Sequence, residues 1–287
     1  MILSALVLSS LLGAPPDVIA VDNGAMRIEI DPRHFDVRFV GVPGGENFLD
    51  PAFRGERPGG DVERSVSGGL ITLVYPFVDD AALANGPADV LDKGPRHAVL
   101  MGPVSPESGL RVRKEIRLAD TEPRAVFTVT VLAAKPEPVE ISVRNEARVP
   151  IGSILRIATG NDPLLVIDAP GPLELDMREL RSISVPPANI AYRIVLGALT
   201  ESLFHVRENS AWSRQMADIH TPGTAYADKR NAVLVLDRPG NEYTATVNGA
   251  IGKVSSAAPA VFREIWEIGS ERAAIRGAHP DPGETAH

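Results

Sequence analysis

The sequence predicts an all-β protein in which one antiparallel domain is built from two stacked sheets. Apolar and polar residues alternate over short segments of the 287-residue chain, and 25 prolines and 25 glycines collect mainly between these segments. Alternation with a period of two places one face of a strand on a core, and Pro and Gly punctuate the turns. Hydrophobic residues make up 44% of the chain, which is enough for a single large core.

The first expected element is a hairpin over residues 18–31, whose turn is Asp22-Asn23-Gly24. Asn-Gly favours a tight hairpin turn because both residues tolerate a positive φ. The other expected strands are 37–42, 70–77, 97–104, 110–118, 125–133, 139–146, 154–158, 164–167, 192–199, 203–206, 232–237, 243–248 and 261–268. Long loops are expected at 43–69 and 79–95, and the only helix candidates are 172–180 and 211–218. In the strand 110–118, arginines and Glu115 alternate with apolar residues, and Lys114 interrupts the apolar face.

The chain is expected to form one domain over residues 17–270, because it has neither an internal repeat nor a linker. Residues 271–287 are rich in Pro, Gly and His and are expected to fray. Ile2 to Ala14 is a short apolar run before a Pro pair, which predicts a signal peptide over residues 1–16 and a periplasmic or secreted protein. No positive residue precedes Ile2, so an N-terminal strand or a short buried helix is the alternative. No other run is long enough to span a membrane.

Composition excludes several classes of function. The net charge of −8 and the absence of a basic run disfavour nucleic acid and anionic membranes as partners. The absence of cysteine excludes disulfides, thiolate metal sites and cysteine nucleophiles. The sequence has neither a nucleophile elbow nor a phosphate-binding loop, and its six histidines are not paired at metal-ligand spacing. We therefore expect no cofactor and no metal.

Two titratable residues are candidates for acid–base chemistry. His97 lies where a long loop enters a strand, although a surface or capping role is the alternative. Glu264 shares a strand face with Phe262 and Trp266. A carboxylate on such a face lies in a cleft or pairs with an arginine of a neighbouring strand, because an unpaired buried charge is unfavourable.

Four further residues are candidates for binding a sugar. Trp212 is either a platform for the apolar face of a sugar ring or a core residue. Arg144 and Glu146 form, with Asn145, a polar cluster at the expected end of a strand, and Arg148 follows it. They would hydrogen-bond ligand hydroxyls, or they would close a turn.

Three segments resemble galactose mutarotase-like proteins. Asp22-Asn-Gly-Ala-Met-Arg-Ile-Glu-Ile-Asp-Pro resembles their first hairpin. Ser108-Gly-Leu-Arg-Val-Arg-Lys-Glu-Ile-Arg-Leu, followed by the strand with Phe127 and by Val143-Arg-Asn-Glu, resembles their central strands. The resemblance covers roughly residues 18–268 and is strongest to an uncharacterised bacterial branch, a domain family of unknown function.

The resemblance implies a β-supersandwich with a concave cleft for a sugar. Aldose 1-epimerases of this superfamily use a histidine acid and a glutamate base from a late strand, and His97 and Glu264 are the residues that match. The resemblance then assigns Arg144 or Arg148 to a ligand hydroxyl or oxyanion. The second family histidine has no counterpart in Pro150-Ile-Gly-Ser-Ile-Leu-Arg.

The leading hypothesis is a carbohydrate-binding protein, with epimerase-like activity left open. Because the second histidine is missing, a sugar-binding domain that is non-catalytic, or that catalyses by a different arrangement, is favoured. The alternatives are a non-catalytic structural or interaction module of the cell envelope and an accessory domain of a polysaccharide-cleaving enzyme.

Overall fold

The structure is a computed structural model that describes eight strand segments and four longer stretches of the chain. The longer stretches are residues 18–50, 69–150, 210–216 and 243–270, and the other segments are 54–55, 66–67, 154–158, 164–168, 182–185, 192–197, 202–207 and 232–236. The expected signal peptide, the tail 271–287, the helix candidate 172–180 and most of the loop 43–69 therefore lie largely or wholly outside the described residues.

The described residues contain 21 strands and one short helix. In the first half of the chain these are β1 (Ile19–Asp22), β2 (Arg27–Asp31), β3 (Asp36–Gly41), β4 (Arg54–Gly55), β5 (Val66–Ser67), β6 (Leu70–Tyr75), α1 (Ala81–Asn85), β7 (Asp89–Gly94), β8 (His97–Met101), β9 (Leu110–Leu118), β10 (Arg124–Ala133) and β11 (Val139–Val149). In the second half they are β12 (Ile154–Ala158), β13 (Leu164–Asp168), β14 (Ser182–Val185), β15 (Tyr192–Gly197), β16 (Ser202–Arg207), β17 (Ser210–Met216), β18 (Ala232–Leu236), β19 (Tyr243–Asn248), β20 (Gly252–Val254) and β21 (Ala260–Ser270).

Two large antiparallel sheets account for nearly all of these strands. The first sheet has the order β1-β2-β3-β6-β11-β19-β18-β15-β13, and β20 pairs with β11. The second sheet has the order β14-β12-β16-β17-β21-β10-β9-β8-β7. The short strands β4 and β5 pair with each other. The prediction of an all-β, antiparallel sandwich of two sheets is confirmed.

The hydrophobic core lies between the inner faces of the two sheets. On β9 the alternating residues Leu110, Val112 and Ile116 are buried, as the sequence pattern predicts. Across the sheet, Phe127 of β10 stacks on Trp266 of β21, with 4.7 Å between the ring centroids. Each large apolar side chain that is fully buried in this way contributes roughly 1.5–3 kcal/mol to folding.

The first hairpin is anchored to the second sheet by its turn. Gly24 has φ +84°, a conformation that glycine adopts without strain. The Asn23 carboxamide oxygen accepts hydrogen bonds from the backbone of Ala25 and Met26, while its nitrogen donates to the Ala119 carbonyl at 2.9 Å. The Asn-Gly pair therefore sets both the turn and its attachment.

Two predictions of local structure are wrong. The helix candidate 211–218 overlaps strand β17, where Trp212 and Arg214 lie on the inner face and pair with β21. The expected loop 79–95 contains α1 and the edge strand β7. Helix α1 begins because the Asp80 side chain accepts hydrogen bonds from two backbone N–H groups, which satisfies donors that a helix start leaves open. No helix among the described residues is long and apolar enough to cross a membrane.

Candidate functional site

A row of polar side chains lies on the outer face of the first sheet. Apart from Asn145, the inner-facing residues of β11 and β19 are apolar or small, so the alternate residues point to the opposite face. In register, Arg144 is opposite Asn248, Glu146 is opposite Thr246, and Arg148 is opposite Thr244. We call these six residues the outer polar cluster. The sequence predicts that the three β11 residues lie at the end of a strand. β11 continues to Val149, however, so they lie within it.

The members of the outer polar cluster bond to one another across the two strands. Arg144 donates from Nε to the Asn248 side-chain oxygen at 3.0 Å. The Arg148 guanidinium donates to the Thr244 hydroxyl and lies 3.7 Å from the Glu146 carboxylate. Five of the six are buried, with relative exposure from 0% for Asn248 to 9% for Arg148. Buried polar groups that bond to one another in this way form a rigid network.

An apolar strip runs beside the outer polar cluster. Ile71 and Leu73 of β6 are opposite Glu146 and Arg144, and they pack with Ala84 of α1. The same face thus offers hydrogen-bonding groups next to an aliphatic surface.

His97 lies elsewhere, at the start of β8 on the outer face of the second sheet. Its Nε2 atom is 3.0 Å from the Asp92 carboxylate across the β7–β8 hairpin, and 34% of its side chain is exposed. This contact is local to the hairpin and matches the surface role that the sequence left open.

Glu264 lies on the inner face of the second sheet and is only 2% exposed. Both of its carboxylate oxygens accept hydrogen bonds from the Arg214 guanidinium, at 3.0 Å each. Asn145 of the first sheet donates at 2.6 Å and the Trp266 indole donates at 2.8 Å. The alternative of a salt bridge to an arginine on a neighbouring strand is what the structure contains.

The structure does not bring His97 and Glu264 together. His97 is opposite Arg117, Arg117 is opposite Val126, and Val126 is opposite Ile265. The two residues are therefore three strand spacings apart, about 14 Å, and on opposite faces of one sheet. They do not form the proton-exchanging pair expected from the resemblance.

Solved structures show what this arrangement of sheets is similar to. The sequence matches no protein-family model and no curated protein. A galactose mutarotase-like protein from Lactobacillus casei ATCC 334 superposes with a TM-score of 0.59 at 10% identity, over 88% of this chain and 100% of that one. A galactose mutarotase related enzyme from Lactobacillus acidophilus gives 0.59 at 9% identity, over 88% and 97%.

The chain has the galactose mutarotase-like fold. A TPR-domain containing protein from Parabacteroides distasonis superposes with a TM-score of 0.63 at 11% identity, over 88% of this chain but 46% of that one. The same fold therefore also occurs as one part of a longer protein. Assignment to the uncharacterised bacterial branch stays a prediction.

In this mutarotase-like fold, Trp212 is a core residue. It is fully buried, it stacks on His205 with 4.8 Å between centroids, and it meets Trp266 edge-on at 5.5 Å. It is therefore not available as a platform for a sugar ring, and the core alternative applies.

Sequence reasoning missed the β19 half of the outer polar cluster. Thr244, Thr246 and Asn248 alternate with Ala245 and Val247 in the sequence, so the polar face of this strand was visible. Its pairing with β11 was not, because these strands are about a hundred residues apart. Among the described residues there is no group of three side chains suited to hold a metal.

Proposed function

We propose that this protein binds carbohydrate at the outer polar cluster. The observation that carries the proposal is the six-residue row of guanidinium, carboxylate, hydroxyl and amide groups on one sheet face, with Ile71 and Leu73 beside it. A sugar presents hydroxyls around an apolar ring, so it needs directional hydrogen bonds next to an aliphatic surface. The names of the proteins that share the fold support the same class of ligand.

Each type of side chain has a distinct task in this proposal. Arg144 and Arg148 only donate hydrogen bonds, the ionised Glu146 only accepts them, and threonine and asparagine do both. Such a mixture suits hydroxyl groups, which also donate and accept.

We propose binding as the function, with anomer interconversion as a further outcome to be tested. Opening a hemiacetal ring requires a base for one oxygen and an acid for another. Glu146 is the carboxylate of the cluster, and none of the six residues of the cluster is a histidine. An epimerase-like activity would therefore use Glu146 and not Glu264.

The test of binding is a glycan array followed by calorimetry on the glycans that bind. Glu146→Gln is expected to weaken binding roughly tenfold to a hundredfold, because a hydrogen bond to a charged group contributes about 1.5–3 kcal/mol. Glu140→Gln is the matched control: Glu140 is on the same strand and pairs with Lys253, but 68% of its side chain is exposed. Its variant is expected to bind like the wild type.

Two results would count against the proposal. If no glycan binds, the non-catalytic structural or interaction module becomes the better hypothesis. If the Glu146 and Glu140 variants bind equally well, the ligand lies elsewhere on the molecule.

Catalysis is tested by following anomers of any bound sugar by NMR after dissolution of one pure anomer. Acceleration that survives Glu140→Gln but not Glu146→Gln would establish an epimerase that uses the outer polar cluster. No acceleration beyond buffer would leave a binding protein.

We also propose that the protein is exported, from the apolar run Ile2 to Ala14. Expression of the full chain in a bacterial host, fractionation and intact mass measurement test this directly. Recovery from the periplasm or medium with about 16 residues removed is expected, and recovery of the uncleaved chain from the cytoplasm would contradict it.

A further inference from the structure

Lys114 is a lysine in the interior of the sandwich. It lies on the inner face of β9 between Val112 and Ile116, and it is 2% exposed. Its neighbours across the strands are Leu100 of β8 and Val129 of β10. A charged group in such surroundings needs a compensating contact.

The contacts of the amine come from the other sheet. Nζ of Lys114 donates a hydrogen bond to the Phe35 carbonyl and lies 4.1 Å from the centroid of the Phe35 ring. Phe35 is in the turn between β2 and β3, here called the β2–β3 turn (residues 31–36). Burial lowers the pKa of Lys114 to about 7, although the nearby Asp36 carboxylate raises it. The closed structure thus favours the neutral amine far more than water does.

The β2–β3 turn closes a paired hairpin, with Asp31 opposite Asp36 and Ile30 opposite Val37 at its base, but this hairpin has little pairing with the rest of the first sheet on its β3 side. β3 meets β6 at one register pair, Val37 opposite Leu70. Phe35 has φ 53°, a left-handed conformation that is strained for an aromatic residue. The turn also contacts the other side of the core, including a 2.8 Å hydrogen bond from the Ala88 N–H to the Pro32 carbonyl.

We propose that the β2–β3 turn is a proton-sensitive lid over Lys114. When the turn lifts, the amine reaches water and takes up a proton, and the protonated amine favours the open form. When the amine is neutral, the turn closes over it. The inference does not depend on the carbohydrate proposal.

The other charged groups on the β2–β3 turn do not account for the proposed dependence of its opening on pH. Asp36 and Arg38 contact each other at 3.4 Å, and Asp31 pairs with Arg33 and Arg38. His34 contacts Asp31 from the surface, with 49% of its side chain exposed, and histidine is the other residue type that changes charge near neutral pH. β8 and β10 place only apolar residues opposite Lys114.

Hydrogen exchange of the turn amides tests the lid. After correction for intrinsic rates, the open fraction in the wild type is expected to rise about tenfold per unit of pH from pH 9.5 down to 7.5 and to level off below pH 7. Lys114→Met is expected to abolish this dependence, and His34→Gln is expected to retain it. A wild-type open fraction that does not change with pH, or the same slope in Lys114→Met, would overturn the proposal.

Amine acylation gives a second measurement that needs no variant. The reagent reacts with a neutral amine in the open form, so the falling open fraction and the rising neutral fraction cancel as pH increases. The labelling rate of Lys114 is therefore expected to be flat from pH 7.5 to 9.5, while that of Lys253, with 70% of its side chain exposed, keeps rising. Parallel rates for the two lysines, or no labelling of Lys114 without global unfolding, would also overturn it.

Discussion

At the scale of a single residue, the burial of the His205 side chain is energetically unfavourable. It is fully buried against Trp212, and within the part of the chain that the structure describes neither of its ring nitrogens has a hydrogen-bond partner. Burial and the charge of Arg214 lower its pKa well below 6.5. The imidazole stacked on Trp212 is therefore neutral, and it stabilises the core by packing and not by hydrogen bonding.

His205→Phe is expected to leave the protein as stable as the wild type at pH 7.5, or more stable, because it keeps the ring stack and removes unsatisfied nitrogens that cost about 1–3 kcal/mol. The folded state holds fewer protons than the unfolded state below pH 6.5, so the wild type is expected to lose stability as pH falls from 6.5 to 5. Urea unfolding across this range measures both effects.

His97→Phe serves as the control for His205→Phe. His97 is partly exposed and pairs with Asp92, so its variant is expected to keep the acid slope of the wild type. A slope that disappears with His97→Phe and persists with His205→Phe would contradict the assignment.

At the scale of elements, Gly69 fixes the junction between β3 and β6. Its φ is +89°, and a Cβ there would clash sterically with the Val37 carbonyl oxygen. Its N–H donates to the Asp50 carbonyl at 2.7 Å, and its carbonyl accepts from Arg148 at 2.8 Å. Gly69 thus connects the loop residue Asp50 to β11, the strand that carries the outer polar cluster, and it lies closely against β3.

Gly69→Ala is expected to lower the free energy of unfolding by at least about 2 kcal/mol, since both the backbone conformation and the close approach resist a side chain. Gly252→Ala, where nothing lies within 4 Å of the added atom, is expected to change it by less than about 0.5 kcal/mol. Denaturant unfolding of the two variants tests this, and equal effects would show that the junction tolerates a side chain.

At the scale of the whole molecule, one buried polar network joins the two sheets. Arg214 and Glu264 of the second sheet bond to each other and to Asn145 of the first sheet, and Asn145 accepts from Thr72 at 2.9 Å. Arg214 also donates to the Ala245 carbonyl at 3.2 Å. Because the members of this network are well paired, we expect it to fix how the sheets align more than to add net stability.

Glu264→Gln is expected to destabilise the fold by about 3–5 kcal/mol, because it leaves the Arg214 guanidinium buried without its counter-charge. Glu267→Gln is the matched control, as Glu267 is on the same strand and pairs with Arg124 at the surface, 54% exposed. Its effect is expected to be less than about 1 kcal/mol. Thermal unfolding distinguishes the two, and a Glu264 variant as stable as the control would contradict a structural role.

The stability of the fold at acid pH depends on Asp31. Burial alone raises the pKa of Asp31, but hydrogen bonds from Arg33 and His34 and the charge of Arg38 outweigh it and lower the pKa from 3.8 to about 2. The ionised form therefore stabilises the fold above pH 3.8, and this contribution is lost as pH falls through about 2. Asp31→Asn is expected to be less stable at neutral pH and to show a smaller decline between pH 4 and 2 in urea titrations.

The sequence by itself determined the fold class, the first hairpin and most of the central strands. Period-two alternation and an Asn-Gly turn are local properties, and a strand such as β9 is buried on the face that its own residues specify. Alternation also showed that Glu264 shares a strand face with aromatic residues. The local pattern failed for β17, which was predicted to be helical, because strand pairing with β16 and β21 overrides local preference.

Only the tertiary structure decided which polar residues meet. Alternation assigns a residue to a face of its own strand, but strand order assigns that face to the core or to the outside. The order of the strands puts Glu264 and Trp212 between the sheets. It puts His97 about 14 Å from Glu264, on the opposite face of the same sheet. It also pairs Thr244, Thr246 and Asn248 with β11. Contacts between strands a hundred residues apart depend on sheet topology, which no local pattern encodes.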